Sequence, residues 1–168
     1  ITWSTNTDLL ANLAIGCMVM DPTNPDILYV GTGGDLGYSG SVPGDGVFKS
    51  TDGGNNWAQL ESTKVVPPNF DFSTVYSLAI CPTNSQILLA GTGYGIFRST
   101  DGGAHWSHPT GAPNNVSITN ISFKPLSDTP QIALINIPAI NCLAGSSSGF
   151  VYYSENDGES WERNVNNG

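Results

Sequence analysis

The sequence predicts an all-β fold assembled from about three copies of one repeated unit, each with four short antiparallel strands. A segment that starts at Asp21, DPTNPDILYVGTG, recurs from Cys81 as CPTNSQILLAGTG. A second segment that starts at Gly46, GVFKSTDGGNNW, recurs from Gly95 as GIFRSTDGGAHW, and a degenerate third copy from Gly149 reads GFVYYSENDGESW. Outside a turn near residues 7–13, no stretch shows helical periodicity. Repetition of this kind is typical of stacked β units.

The second repeat shows the order of elements within one unit. β-branched and apolar residues predict strands, and the Pro, Asn, Ser and Gly clusters between them predict turns. A tight hairpin turn precedes Trp106, which opens the last strand. The predicted strands are residues 75–80, 87–90, 96–99 and a fourth that starts at Trp106, with turns at 82–85, 91–95 and 101–103.

Units of this length, each a four-stranded meander, are typical of the blades of a β-propeller. We therefore predict that the whole chain, 1–168, forms a single partial propeller. Since closure takes about four to eight blades, three blades imply a larger propeller, completed by further blades of the same protein or by copies of this chain. The predicted blades are 15–62, 75–109 and 116–164, and 1–14 is the end of a preceding blade or a linker.

Each repeat carries a hairpin with the pattern Ser-x-Asp-x-Gly-x-x-Trp or a close variant. The Asp accepts hydrogen bonds from backbone N–H groups, the Gly takes a positive φ, and the Trp ring packs under the hairpin. Identical residues on successive blades cannot all act on one substrate atom, so we interpret the motif as a structural clamp and assign no catalytic residue. Its positions are Ser50, Asp52, Gly54 and Trp57, then Ser99, Asp101, Gly103 and Trp106, and finally Ser154, Asn156, Gly158 and Trp161.

This pattern resembles the Asp-box, or bacterial neuraminidase repeat, of a superfamily that includes sialidases, xyloglucanases, sortilin-type receptors and photosystem assembly propellers. Over residues 15–162 the chain looks most like large secreted repeat proteins of bacteria. Sialidases bind the substrate carboxylate with three arginines, whereas this chain has only Arg98 and Arg163, so it is not a sialidase on its own. For a xyloglucanase-like enzyme, the resemblance offers only Asp35 as a catalytic carboxylate, and its surroundings match that family poorly.

The charge of the chain argues against nucleic-acid binding. Five Lys and Arg residues stand against 14 Asp and Glu, for a net charge of −9. Such a surface repels phosphate backbones. No apolar run reaches the roughly 18 to 20 residues of a membrane helix, so we predict no membrane insertion. Few Lys beside many Asn, Ser, Thr and Gly favour a secreted, extracellular or cell-surface protein.

An insertion in the first repeat, residues 34–45, is the candidate ligand loop. It holds Asp35, Tyr38 and Asp45, which suggest calcium binding or the stacking of a sugar on the tyrosine. Its oxygen ligands lack the spacing of a calcium-binding loop. We therefore favour a solvated loop and predict no metal or other cofactor.

Other features are interpreted as structural. Cys17, Cys81 and Cys142 lie in apolar runs, so we expect buried thiols, with one disulfide left open. The insertion at 126–137 is interpreted as an extended strand or a contact with a missing neighbour, in preference to a site for a binding partner. No Cys pair accompanies His105 and His108, which argues against zinc, and the sequons at Asn115 and Asn120 matter only in a secreted eukaryotic protein.

The sequence therefore predicts a non-catalytic, extracellular propeller segment that binds a protein or carbohydrate ligand or acts as a scaffold. The first alternative is a fragment of a xyloglucanase-like glycoside hydrolase whose catalytic carboxylates lie partly outside this chain. The second is a structural assembly subunit, which repeated contacts between copies would reveal.

Overall fold

The computed structural model describes residues 14–34, 42–124 and 141–164, and within them the chain forms three antiparallel sheets. The prediction of an all-β fold is confirmed; the described part has one short 3₁₀ turn, at Glu61–Thr63, and no helix long and apolar enough to cross a membrane. Sheet 1 holds β1 (Ile15–Met20), β2 (Leu28–Thr32), β3 (Val47–Ser50) and β4 (Ala58–Gln59); sheet 2 holds β5 (Val75–Cys81), β6 (Asn84–Thr92) and β7 (Gly95–Ser99); sheet 3 holds β8 (Ile118–Phe123), β9 (Cys142–Ser146), β10 (Val151–Ser154) and β11 (Glu162–Arg163).

The three sheets repeat one register. Neighbouring strands follow chain order, so each sheet is a meander. The first strand of each sheet has an irregularity near its start, where its pairing with the second strand shifts. The equivalent cross-strand pairs are Met18 with Val30, Leu78 with Ala90, and Ile121 with Ala144.

Sheet 2 differs from the prediction in its fourth strand. The segment that follows Trp106 forms no continuous ladder with β7: Arg98 and Ser107 exchange two N–H···O bonds of 2.9 and 3.0 Å, and the only other bridge of the described residues to β7, between Gly95 and Asn114, is isolated as well. The ladder stops there because the next donor would be Pro109, which has no N–H. At the equivalent positions, Leu60 donates to Val47 and Asn164 donates to Val151.

The cores lie between the sheets. Tyr29 and Val47 of sheet 1 pack with Leu78, Leu88 and Phe97 of sheet 2. A second core joins sheets 2 and 3, and β6 contributes to both, because successive side chains of a strand point to opposite faces. Its sheet 2 members are Ala79, Leu89 and Ile96, and its sheet 3 members include Ile121, Cys142, Tyr152 and Trp161.

All three cysteines are free thiols. Cys81 and Cys142 are buried and Cys17 is half-buried. Burial raises the pKa of Cys142 to about 12 and that of Cys17 to about 11. The thiols therefore behave as small apolar side chains. The insertion at 126–137 and the turn at 7–13 lie outside the described residues.

Candidate functional site

The repeated motif forms three similar hairpins, which follow β3, β7 and β10. We call them hairpin 1 (residues 50–57), hairpin 2 (99–106) and hairpin 3 (154–161). In hairpin 2 the Ser99 hydroxyl accepts the backbone N–H of Gly103 at 2.9 Å and donates to Asp101 Oδ1 at 2.8 Å. Both bonds recur in the other hairpins, through Ser50 with Gly54 and Asp52, and through Ser154 with Gly158 and Asn156.

The acidic position clamps the far side of each turn through one oxygen. Asp101 Oδ1 accepts the backbone N–H of His105 at 2.9 Å. In hairpin 3, Asn156 Oδ1 accepts the N–H of Ser160 at 2.9 Å. Because a single acceptor oxygen suffices, Asn can replace Asp there. Hairpin 1 makes the same bond from Asn56 to Asp52, at 2.8 Å.

Left-handed backbone closes each turn and directs the tryptophan under it. Gly102 and Gly103 have φ of 68° and 91°. Hairpin 3 places Asp157, at φ 53°, where the others have glycine, and Asp tolerates this region better than most residues. In hairpins 2 and 3 the indole N–H donates to the carbonyl of the second left-handed residue, from Trp106 to Gly103 and from Trp161 to Gly158, each at 3.1 Å.

The hairpin carboxylates are held ionised. The backbone N–H of His105, and then its ring, lower the pKa of Asp101 to about 2. The side chain of Asn56, and then its backbone N–H, lower the pKa of Asp52. A carboxylate that stays ionised and bonded in this way is a poor general acid near neutral pH. The geometry therefore supports a structural role for the hairpins.

Replacing Asp101 with Asn should make the stability of the protein less sensitive to acid. The folded-state pKa lies below the unfolded value of about 3.9. The stabilisation from Asp101 is therefore complete above that value and is lost as pH falls toward 2. Urea unfolding at a series of acidic pH values measures the change.

His105→Ala is the control, because it removes the ring but keeps the backbone N–H that lowers the pKa most. We expect it to keep most of the acid sensitivity. If Asp101→Asn unfolds with the same pH dependence as the parent chain, the hairpin carboxylate is not the group that titrates.

Hairpins 2 and 3 also join neighbouring sheets, which sequence analysis did not predict. In hairpin 2, the carbonyl of Gly102 accepts a 3.1 Å bond from the hydroxyl of Tyr29 in sheet 1. In hairpin 3, the carbonyl of Asp157 accepts a 2.8 Å bond from Arg98 Nε in sheet 2. Each hairpin therefore fastens its own sheet to the preceding one.

At the opposite ends of the strands, the loops that follow and connect the strands of sheets 1 and 2 form what we call the loop face: residues 42–46, 64–74, 93–94 and 111–117. Three backbone bonds connect its segments: Gly44 to Ser73 at 2.6 Å, Gly93 to Thr74 at 3.0 Å, and Asn115 to Tyr94 at 2.9 Å. Four apolar side chains of this face are exposed, and sequence analysis missed them. They are Val42, Val66, Phe70 and Tyr94.

The last residues of the candidate ligand loop, 42–45, belong to the loop face, and Asp45 is the one predicted ligand residue among them. This residue is half-buried; its backbone N–H donates to Thr32 Oγ1 at 2.8 Å, and its carbonyl accepts from Gln59 Nε2 at 2.6 Å. Asp35 and Tyr38 lie outside the described residues, so the solvated loop that we favour and its calcium-binding alternative both stay predictions. Within the described ranges no three His, Cys, Asp or Glu side chains form a metal-binding group. Asn115 and Asn120 are both exposed.

No protein-family model and no curated protein matches this chain. Solved structures do match. An ancestral GH74 enzyme is 24% identical with a TM-score of 0.62, over 91% of this chain and 18% of its own. The GH74 xyloglucanase from Xanthomonas campestris is 22% identical with a TM-score of 0.59, over 96% and 25%. A YCF48 structure bound to D1 peptide is 15% identical with a TM-score of 0.56, over 92% and 42%.

These likenesses establish the fold. The neighbours are β-propellers, so the three sheets are successive blades of a partial propeller. The chain spans less than half the length of each neighbour. At such low identity the comparison extends to architecture alone.

Proposed function

We propose that this chain is a non-catalytic, extracellular propeller segment whose loop face binds a protein or carbohydrate ligand. The observation that supports it best is that four apolar or aromatic side chains on the loops of this face, Val42, Val66, Phe70 and Tyr94, are exposed. In this proposal the three hairpins are Asp-boxes, and hairpins 2 and 3 hold the blades together at the opposite end. Scaffold and recognition surface are thus separate.

The backbone around both aromatic residues is held in place. The carbonyl of Phe70 accepts from Ser73 at 2.8 Å, and the Tyr94 N–H donates to Thr92 Oγ1 at 3.0 Å. Aromatic side chains offer a large contact area for little conformational entropy. They can pack against an extended peptide or against the face of a sugar ring. The peptide in the YCF48 structure is consistent with the first of these.

The second candidate is a fragment of a glycoside hydrolase, which the GH74 neighbours favour. Such enzymes need two carboxylates about 5 to 9.5 Å apart across a cleft. The hairpin carboxylates do not fit this role: they are ionised, they are bonded within their own turns, and they lie at the end of the strands away from the loop face. Asp35 would be one carboxylate, and blades outside this chain would supply the other.

Replacing Phe70 and Tyr94 together with Ala should weaken ligand binding at least tenfold, because each aromatic anchor contributes about 1 kcal/mol or more. Immobilised chain is first screened against xyloglucan oligosaccharides and a random peptide library. The affinity of the selected probe is then measured by biolayer interferometry. Glu155→Gln in hairpin 3 is the control, because it changes an exposed residue at the far end of the strands.

Unchanged affinity in the double variant would remove the loop face from the proposal. Failure to capture any probe would count against a binding module. Release of reducing sugar from xyloglucan by the purified chain would instead favour the hydrolase and contradict the non-catalytic assignment.

A further inference from the structure

We propose that Asp21 forms an acid-released clasp between sheets 1 and 2: as a carboxylate it joins the turn after β1 to the start of β6, and its protonation in acid separates these two turns. The clasp lies at the end of the strands where the hairpins lie, because the turn from β1 leads into β2 beside hairpin 1. The proposal does not depend on a ligand at the loop face.

Asp21 is a buried acidic residue. Its exposed fraction is 5%, and it is the one charged residue among the buried residues of the described ranges. It directly follows β1, and its backbone N–H donates to the carbonyl of Ile27 at 3.0 Å, which closes the turn to β2. A buried carboxylate is costly unless hydrogen bonds replace its hydration. The bonds that Asp21 accepts therefore decide whether its charge stabilises this joint.

Three short hydrogen bonds converge on one oxygen of this carboxylate. Asp21 Oδ1 accepts the backbone N–H and the hydroxyl of Thr23, each at 2.8 Å, within its own turn. It also accepts the hydroxyl of Ser85 at 2.7 Å. Ser85 lies 64 positions further along the chain, in β6 of sheet 2. The carboxylate therefore holds its own turn and the next sheet at one point.

The other two repeats place different residue types at this position. In the second repeat Cys81 stands there, and its sulfur lies 3.2 Å from the hydroxyl oxygen of Thr83 in the same turn. In sheet 3 the register of the first strand places the exposed Lys124 there. Neither side chain offers a carboxylate oxygen. Acid therefore acts at the joint between sheets 1 and 2 through a group that the later repeats replace.

The groups that act on the Asp21 carboxyl are neutral. They are the hydroxyls of Ser85 and Thr23 and the backbone N–H groups of Thr23 and Asn24. Burial raises the pKa of Asp21, but these hydrogen bonds lower it by more, so the pKa lies below the ordinary value for aspartate. The stabilisation from the clasp is therefore complete above the unfolded value of about 3.9 and is lost as pH falls through the lower folded value.

The charged residues of the neighbouring turns face other partners. Asp26 Oδ1 lies 3.6 Å from the point where a Cβ on Gly53 would stand, so it faces hairpin 1. Lys49 lies over the ring of Tyr29, 5.1 Å from its centroid. Asp101 is bonded within hairpin 2. Protonation of Asp21 is therefore the event that changes the charge at the clasp.

The rest of the joint keeps its contacts in acid. The hydroxyl of Tyr29 donates to the carbonyl of Gly102 at 3.1 Å, and the hydroxyl of Ser62 donates to that of Gly103 at 2.9 Å. Both bonds join neutral groups, and the core between the two sheets is apolar. A protonated carboxyl, by contrast, accepts more weakly and must itself donate. Acid should therefore release the two turns while the sheets stay packed.

NMR titration of the full chain tests the proposal. The ¹³C shift of the Asp21 carboxyl gives its midpoint. The NOE between the Thr23 methyl group and the Ser85 β-protons reports contact of the turns, because the two hydroxyl oxygens lie 3.3 Å apart. We expect a midpoint below about 3.9 and loss of this NOE over the same pH range. The NOE from Gly31 to the Val75 methyl groups, in the packed part of the joint, should remain.

Variants separate the cross-sheet bond from the bonds within the turn. Ser85→Ala should move the Asp21 midpoint up toward about 3.9, because it removes a hydrogen bond that lowers the pKa. Ser85→Thr keeps a hydroxyl and should restore the parent midpoint. Asp21→Asn keeps an acceptor oxygen without the titrating carboxyl, so its Thr23–Ser85 NOE should persist in acid. Asp101→Asn, in hairpin 2, is the control and should leave the Asp21 midpoint unchanged.

Four results would overturn the proposal. An Asp21 midpoint that Ser85→Ala leaves unchanged would mean that the carboxylate is not bonded across the joint. A Thr23–Ser85 NOE that persists below the midpoint would exclude release by acid. Loss of the Gly31–Val75 NOE at the same pH would mean that the chain unfolds as one unit. Loss of the turn NOE in Asp21→Asn over the parent's pH range would assign the release to another group.

Discussion

Replacing Trp161 with Ala should lower the free energy of unfolding by about 3 to 5 kcal/mol. The indole ring is almost completely buried in the core between sheets 2 and 3, and its N–H donates to the carbonyl of Gly158 at 3.1 Å. The backbone N–H of the same residue donates to Thr110 at 2.9 Å, so the chain is tethered there. A tethered backbone cannot collapse into the cavity, which places the effect at the high end for a core residue.

Urea unfolding followed by far-UV circular dichroism measures this loss without relying on tryptophan fluorescence. Trp161→Phe is the control, because it keeps most of the apolar area and removes the indole N–H. We expect it to lose about 1 to 2 kcal/mol. Equal losses in the two variants would mean that the hydrogen bond, rather than the buried ring, stabilises hairpin 3.

Replacing Gly46 with Ala should lower the free energy of unfolding by about 2 to 5 kcal/mol. Gly46 has φ 84°, and an added Cβ would overlap the backbone carbonyl of Thr63. That carbonyl cannot move easily, because Thr63 is buried and its hydroxyl accepts from the Val47 N–H at 2.9 Å and donates to Leu60 at 2.9 Å. Backbone strain and overlap therefore add.

Gly149→Ala separates the two effects. Gly149 has φ 83°, nearly the same as Gly46, but no atom lies within 4 Å of its added Cβ. In this variant only the backbone strain lowers the free energy of unfolding, by about 1 to 2 kcal/mol. Denaturant midpoints of the two variants give the difference. Similar midpoints would show that the chain near Thr63 yields and that the close approach has little energetic effect.

The sequence predicts local structure well where the residues that bond to each other are close together in the chain. The hairpins illustrate this, since the bonds of Ser99 and Asp101 join residues no more than four positions apart. The absence of a fourth strand from sheet 2 could also have been predicted from the sequence. Pro109 stands where Leu60 donates in the first repeat, and the alignment of the repeats exposes that missing donor.

The loop face could not be predicted as a unit. Tyr94 lies between two glycines in a turn, and this isolated aromatic residue was the one signal available. Phe70 gives no such signal, because Phe72, only two positions away, is buried against Phe97 with ring centroids 4.8 Å apart. Which of the two aromatics faces solvent depends on how residues 64–74 pass between sheets 1 and 2.

By itself, then, the sequence determined the repeat, the all-β class and the internal bonds of each hairpin, because these depend on residues close together in the chain. Only the tertiary structure decided which copy of each repeated residue is covered. Leu89 and Leu143 hold the same register position, yet one is buried beneath hairpin 3 and the other is exposed. The physical reason is that burial depends on the neighbouring sheet, which the local sequence of a repeat does not encode.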